Sequence, residues 1–98
     1  MFGTIGHAKL KSGARAQLDE LMTEWNNNIR PAVPGDFVNL VGNVAGSAGE
    51  IVFVALAQDE ATYRALAAMP EQHAWFERLS TLVEGDVHWE DVEMEFNG

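Results

Sequence analysis

Ile51-Val-Phe-Val-Ala-Leu-Ala57 is apolar at every position. A strand with one wet face alternates apolar and polar residues, whereas a strand covered on both faces reads as a continuous apolar run. The sheet that holds this segment therefore needs two covers. Working outward, Asp36 to Ala45 reads as a strand, and Gly46-Ser-Ala-Gly49 turns it into Glu50 to Ala57 as a hairpin. Phe2 to Leu10 reads as the first strand. Ser12 offers a helix N-cap, and Ala14, Leu18, Leu21, Met22, Trp25 and Ile29 then form one narrow apolar stripe at helical spacing. Asn26-Asn-Asn28 weakens the end of that helix, and Pro31 with Pro34-Gly35 closes it.

Downstream of the hairpin, Asp59 caps a second helical region in which Tyr63, Leu66 and Ala67 share a side. Met69-Pro70 interrupts it, because a residue before proline avoids the helical basin; a break at Ala68 or Met69 and a fresh start at Pro70 follow. The renewed helix is expected to bury Phe76, Leu79 and Val83, with Gln72, Trp75 and Leu82 on the flanks. Glu84-Gly85 ends it, and Asp86 to Phe96 is the last strand. On that strand His88, Glu90, Val92, Met94 and Phe96 share one face, and Val87, Trp89, Asp91, Glu93 and Glu95 the other. The order strand, helix, strand, strand, helix, strand is the ferredoxin-like βαββαβ arrangement. Right-handed crossovers put both helices on one face of a four-stranded antiparallel sheet, so the other face is left bare. A second copy of the chain is the expected cover, which makes the protein a homodimer through the open sheet face.

Composition narrows the function. The chain has 98 residues with no composition break, which points to a single domain over 1–98. A chain of this size buries only roughly 60 to 65% of its unfolded surface, so pairing of apolar faces would add appreciably to its stability. With no cysteine, disulfides, thiolate catalysis and cysteine-ligated metal are excluded. Fifteen acidic residues against six basic ones give a formal charge of -9, which argues against nucleic acid or an anionic membrane surface as partner. Glu84, Asp86, Glu90, Asp91, Glu93 and Glu95 crowd the last segment; they read either as a patch for a cationic partner or as a charged edge strand protected from aggregation. Residues 1–9 lack a basic segment followed by a long apolar one, and no stretch approaches the roughly 20 apolar residues of a membrane span. A cytoplasmic location is expected.

The element order, the length and Met69-Pro-Glu-Gln-His-Ala-Trp-Phe-Glu-Arg78 resemble the dimeric α+β barrel superfamily, specifically its antibiotic biosynthesis monooxygenase type. The resemblance covers the whole chain at the level of pattern. It implies two protomers packed sheet to sheet, each with a pocket between its own sheet and helices. Activities in that family include cofactor-independent oxidation of aromatic substrates, quinol oxidation and haem degradation, and fold does not fix which. The haem-degrading branch uses an asparagine on the first strand, a tryptophan and a helix histidine. Aligned on Gly13, this chain has Gly6 at the asparagine's place and Trp75 in the region of the histidine, with His73 two residues earlier. Two residues turn a helical side chain by about 200°. Haem binding or degradation is thus the weaker implication, and no cofactor is expected.

The residues that can carry chemistry each have two readings. Trp25 is either a pocket wall that stacks on a flat substrate or core. Tyr63 is either a phenol that orients a substrate oxygen or a buried tyrosine bonded to backbone. His73, at the edge of the buried helix face, is either a proton shuttle at a pocket mouth or an exposed histidine without a role. Gln72 points inward, to hydrogen-bond a ligand or to cap the preceding segment, and Phe76 lies beside it on the apolar side. His88 is on a strand neighbouring that of His7, and His7, His88 and Glu90 are compatible with a metal site but lack a short ligand motif. Asn39 and Asn43 interrupt the second strand on one face, where they either bond across the dimer contact or, for Asn43, belong to the turn. No nucleophile elbow, phosphate-cradling loop or dinucleotide fingerprint is present. The expected function is a cofactor-independent monooxygenase-like protein, with catalytic His73 and Tyr63 and with Trp25, Gln72, Phe76 and His88 contacting a small aromatic or quinol-type substrate. The alternative is a non-catalytic small-ligand-binding or structural homodimer.

Overall fold

The computed structural model describes residues 1–97. Its elements run β1 (Phe2–Leu10), α1 (Arg15–Glu24), β2 (Phe37–Asn43), β3 (Glu50–Ala57), α2 (Glu60–Ala67), α3 (Pro70–Ser80) and β4 (Val83–Glu93). The four strands form one antiparallel sheet in the order β2-β3-β1-β4, with β2 and β4 at the edges. This is the ferredoxin-like α+β fold expected from the element order, with the second helical region split in two. The ladder pairs Phe2 with Ala57 and with Glu93, and Ala57 in turn with Phe37, so the faces can be assigned by alternation. Phe2, Thr4, Gly6 and Ala8 face the helices with Phe37, Val41, Ile51, Phe53 and Trp89. Ile5, His7, Val38, Leu40, Val52, Val54, His88 and Glu90 occupy the opposite face.

The apolar stripe of the first helix is the centre of the core. Leu18, Leu21, Trp25 and Ile29 are buried with Ile51, Phe53, Leu66, Trp75 and Leu79 in one cluster. Only the first part of the stripe is α-helical. From Trp25–Ile29 the backbone widens into one π turn, closed by the Arg30 N–H on the Trp25 carbonyl, and Arg30–Ala32 tightens to a 3₁₀ turn before β2. Three successive asparagines are poor helix formers, and Pro31 cannot continue the α pattern, so the local sequence favours this release. Arg30 then ties the loop down: its guanidinium donates to the carbonyls of Val33 at 2.8 Å and Gly35 at 3.0 Å and lies over the Phe37 ring.

Several boundaries differ from the sequence reading, each for a local reason. Ser12 does not cap α1; Gly13 at φ +80° and the Ala14 N–H bond to the Lys11 carbonyl delay the start to Arg15. Asp59 does cap α2, its carboxylate accepting from the Thr62 N–H at 2.8 Å. The break before Pro70 falls at Ala68-Met69, with Pro70 in the first turn of α3. Trp75, expected on a flank, is buried in place of Phe76, and Val83 opens β4 instead of ending α3. The last strand therefore begins three residues earlier than Asp86, by way of a bulge between the His7 and Lys9 pairings that holds Gly85 at φ +67°. Asn39 and Asn43 face the helices: Asn43 accepts from Arg15 at 3.0 Å, and Asn39 approaches Asn26 at 3.4 Å. They are not available to bond across a contact on the other face.

Among the described residues, no helix is long and apolar enough to cross a membrane. The acidic segment runs along the edge strand β4, with Glu84, Asp86, Glu90, Asp91 and Glu93 all exposed.

Candidate functional site between sheet and helices

β1 and β4 bring two neighbouring groups of side chains to the helix-covered face. At one rung Thr4 pairs with Asp91; one step along the same face, Gly6 pairs with Trp89. Same-face neighbours on a strand are roughly 6.5 Å apart, so the two groups adjoin. The first is polar. Tyr63, half-buried on α2, places its hydroxyl 3.4 Å from Asp91 Oδ1, and Arg64 approaches the other carboxylate oxygen at the same distance. Buried Thr4 donates to the Glu90 carbonyl at 3.1 Å, and the Phe2 ring packs on Tyr63 at 5.4 Å. Burial and then the nearby Asp91 charge push the Tyr63 phenol above its ordinary value, so it stays protonated near neutral pH. A protonated phenol donates a hydrogen bond; it is not a base. At 3.4 Å its present bond is long, which leaves the donor available to a better acceptor.

The second group is aromatic. Trp89 packs on Phe76 and Phe53 at 5.8 and 5.9 Å between ring centres, over the bare backbone of Gly6. A Cβ at Gly6 would stand 2.4 Å from the indole, so glycine here is what allows the ring to lie flat against β1. Composition gave no sign of this pairing. Strand alternation separates Trp89 from His88 without saying which face the helices cover, and the seat of Trp89 on Gly6 depends on β1 and β4 being neighbours in register.

The other expected residues divide among three places. Trp25 and Gln72 meet: the indole N–H donates to the Gln72 side-chain oxygen at 2.7 Å, and the indole packs on Phe37. Trp25 is 4% exposed, so it is core. Phe76 reaches the same layer through Trp89. His73 points outward; its Nε2 lies 2.9 Å from Glu77, one turn later, with the side chain 73% exposed. His88 stands on the opposite face of the sheet beside His7, because it is one residue out of phase with Trp89. Trp75, not singled out for function, donates its indole N–H to the Leu21 carbonyl at 2.8 Å, just ahead of the π turn, and so fixes where Trp25 sits.

Alongside this layer, Ala32, Val33, Pro34, Ala61, Thr62, Ala65, Leu66 and Met69 line an apolar groove of about 560 Å³ between the 3₁₀ turn and α2. It opens on Leu66 and Val33, both members of the core that includes Trp25.

No family model matches the chain, and no curated protein matches it. Solved structures do. A Deinococcus radiodurans protein named as a candidate antibiotic biosynthesis monooxygenase superposes with a TM-score of 0.79 at 17% identity, covering 99% of this chain and 95% of that one. A Caulobacter crescentus CB15 protein named in the same way gives 0.82 at 12% identity, over 97% and 90%. SnoaB from Streptomyces nogalater, named a cofactor-independent oxygenase and solved as an asparagine-to-alanine variant, gives 0.79 at 15% identity, over 98% and 94%. Across nearly its whole length, with the layer of aromatic rings and Tyr63 lying between its sheet and helices, the chain has the fold of these antibiotic biosynthesis monooxygenase structures.

Proposed function

We propose that residues 1–98 form a single domain that acts as a cofactor-independent monooxygenase on a small aromatic or quinol-type substrate held between sheet and helices. The observation that carries this reading is the adjacency of the Tyr63, Asp91 and Thr4 group to the Trp89, Phe76 and Gly6 group on one covered face. An aromatic substrate with a ring oxygen needs a flat apolar surface and, beside it, a hydrogen-bond donor for that oxygen. The aromatic rings supply the first and the Tyr63 phenol the second. Once deprotonated, such a substrate donates an electron to oxygen itself, so the protein has to bind, orient and accept a proton. His73, at the rim of α3 and paired with Glu77, is the proton acceptor in this reading. Trp25 and Gln72 form the wall that opens to the substrate, their mutual bond exchanged for contacts to it. The SnoaB likeness in fold agrees with this class of chemistry.

The protein is further proposed to be a cytoplasmic homodimer through the face that carries Val38, Leu40, Val52 and Val54. Leu40 is 59% exposed there, a large apolar side chain on a sheet face that no helix among the described residues covers. His88, on the same face, belongs to this contact in the dimer and reaches substrate only through it.

Oxygen uptake with a panel of hydroquinones and polycyclic phenols tests the catalytic reading. Turnover that falls on Tyr63→Phe and on His73→Ala, with folding unchanged, supports it. Full turnover in a variant lacking all three histidines would show that none of them is the base.

One observation favours the second reading, a non-catalytic small-ligand-binding or structural homodimer. The Trp25 indole is buried and its N–H already satisfied by Gln72, so the place expected for a stacked substrate is occupied by protein. That reading gives saturable ligand binding without oxygen consumption. For haem, the Trp89 ring fills the recess beside Gly6, and a haem titration is expected to leave the Soret band unshifted.

A further inference from the structure

We propose that Asp91, on the aromatic-substrate reading given above, makes the site selective for a ring bearing two adjacent oxygens, an ortho-dihydroxy aromatic, over a phenol or a para-hydroquinone. Tyr63 Oη and Asp91 Oδ1 stand 3.4 Å apart, and Arg64 reaches Asp91 Oδ2 at the same distance. O–H···O bonds centre on about 2.7 to 2.8 Å and charge-assisted N–H···O bonds on about 2.7 to 2.9 Å, so the three groups meet without a tight bond among them. Arg64 is shared: it also approaches Glu60 at 3.4 Å and lies over the Phe2 and Tyr63 rings, 5.2 and 5.5 Å from their centres. Thr4, the partner of Asp91 in the ladder, donates to the Glu90 carbonyl instead. The Asp91 side chain is 44% exposed, so a ligand can reach it.

What remains is a donor beside an acceptor. The phenol, protonated near neutral pH, donates to one ligand oxygen, and the carboxylate accepts from another. A single ligand hydroxyl can serve both while it keeps its proton. The reaction proposed above removes that proton, and a lone oxygen then turns a bare negative charge toward Asp91, which like charges at this range oppose. With a second hydroxyl on the next ring carbon, the oxyanion accepts from Tyr63 while the neighbouring O–H donates to Asp91. A para oxygen lies on the far side of the ring and cannot take that place. The ring then extends toward Trp89, one step along the same face, and toward Phe76 packed on it; both are only partly buried. A site that hydrogen-bonds a ligand hydroxyl in this way discriminates against analogues that lack it.

The test is a spectrophotometric titration at neutral pH with nitrocatechol, nitrophenol and nitrohydroquinone, whose phenolates form near neutral pH and are coloured. Nitrocatechol should bind roughly tenfold or more tighter than the other two, as expected for a hydrogen bond to a charged group. Asp91→Ala should bring the three affinities together. The isosteric Asp91→Asn should move the preference the same way, and melting curves check that both variants fold. Tyr63→Phe should weaken all three probes, whereas Glu93→Gln, which removes the next carboxylate along the same face of β4, should leave the preference intact. Equal affinities or no binding in the wild type overturn the proposal, and so does a nitrocatechol preference that survives both Asp91 replacements. Oxygen uptake separates this outcome from that of the catalytic reading. Ortho-selective binding with no uptake on any phenol supports the role of Asp91 while the monooxygenase reading fails; uptake on phenols and ortho-diols alike, at equal affinity, overturns the role of Asp91 and leaves the monooxygenase reading standing.

Discussion

At the scale of single residues, the covered face depends on a few close fits. Gly6 has no side chain because the Trp89 indole occupies that volume, so Gly6→Ala must displace the ring or bend β1. Overpacking of this kind costs about 1 to 3 kcal/mol, measurable as a lower urea midpoint with altered tryptophan emission. Gln72→Leu removes the acceptor of the Trp25 indole and leaves a buried N–H without a partner, at about 1 to 3 kcal/mol by the same measurement. Tyr63 sets a pH dependence. Because its folded pKa is raised above the ordinary 10.0, its contribution to stability is complete below about pH 10 and is lost as pH rises through the folded value. Tyr63→Phe should therefore flatten the fall of melting temperature on the alkaline side; an unchanged slope would show that the phenol is not held as described. Of this site, the sequence indicated Tyr63, Trp25 and Gln72 through the faces of their helices. It could not indicate Asp91 as the Tyr63 partner, because the contact joins residues 28 apart across two elements.

At the scale of elements, local chemistry decided most of the boundaries. The Pro70 break and the Asp59 cap were legible because both act within four residues. Asp59 in addition holds its proton less readily than the usual 3.8, through the bonds it accepts from Thr62. Its contribution is present above that value and lost as pH falls through the lower folded one, so Asp59→Ala should lower the melting temperature at neutral pH and lessen its decline below about pH 4. The π turn after Glu24 was not legible. The stripe Leu18, Leu21, Trp25, Ile29 has the spacing of an uninterrupted α-helix, and the widening follows from where the asparagines, Pro31 and the Trp75 bond to Leu21 meet. The same holds for Trp75 and Phe76, adjacent on α3. Which of the two is buried follows from tertiary packing, in which Trp75 bonds to the Leu21 carbonyl and Phe76 lies against Trp89, not from apolarity.

At the scale of the whole molecule, the sheet has one face filled and one unfilled. Leu79 is fully buried on the filled side, and Leu79→Ala should cost about 2 to 5 kcal/mol, read from chemical denaturation. On the other side, Val54→Asp should convert the proposed homodimer to monomer in sedimentation velocity, with a lower melting temperature; a charged variant that sediments and melts as the wild type does would show that this face carries no contact. The sequence by itself determined that Ile51 to Ala57 is a strand, that two crossovers stack helices on one face of its sheet, and hence the ferredoxin-like order. Those conclusions follow from periodicity and chirality, which are properties of short stretches of chain. Only the tertiary structure decided which strands are neighbours in which register. That register seats Trp89 on Gly6, brings Tyr63 to Asp91 and sets His7 opposite His88, because a cross-strand partner is fixed by pairing and by one bulge in β4, not by any signal within either strand.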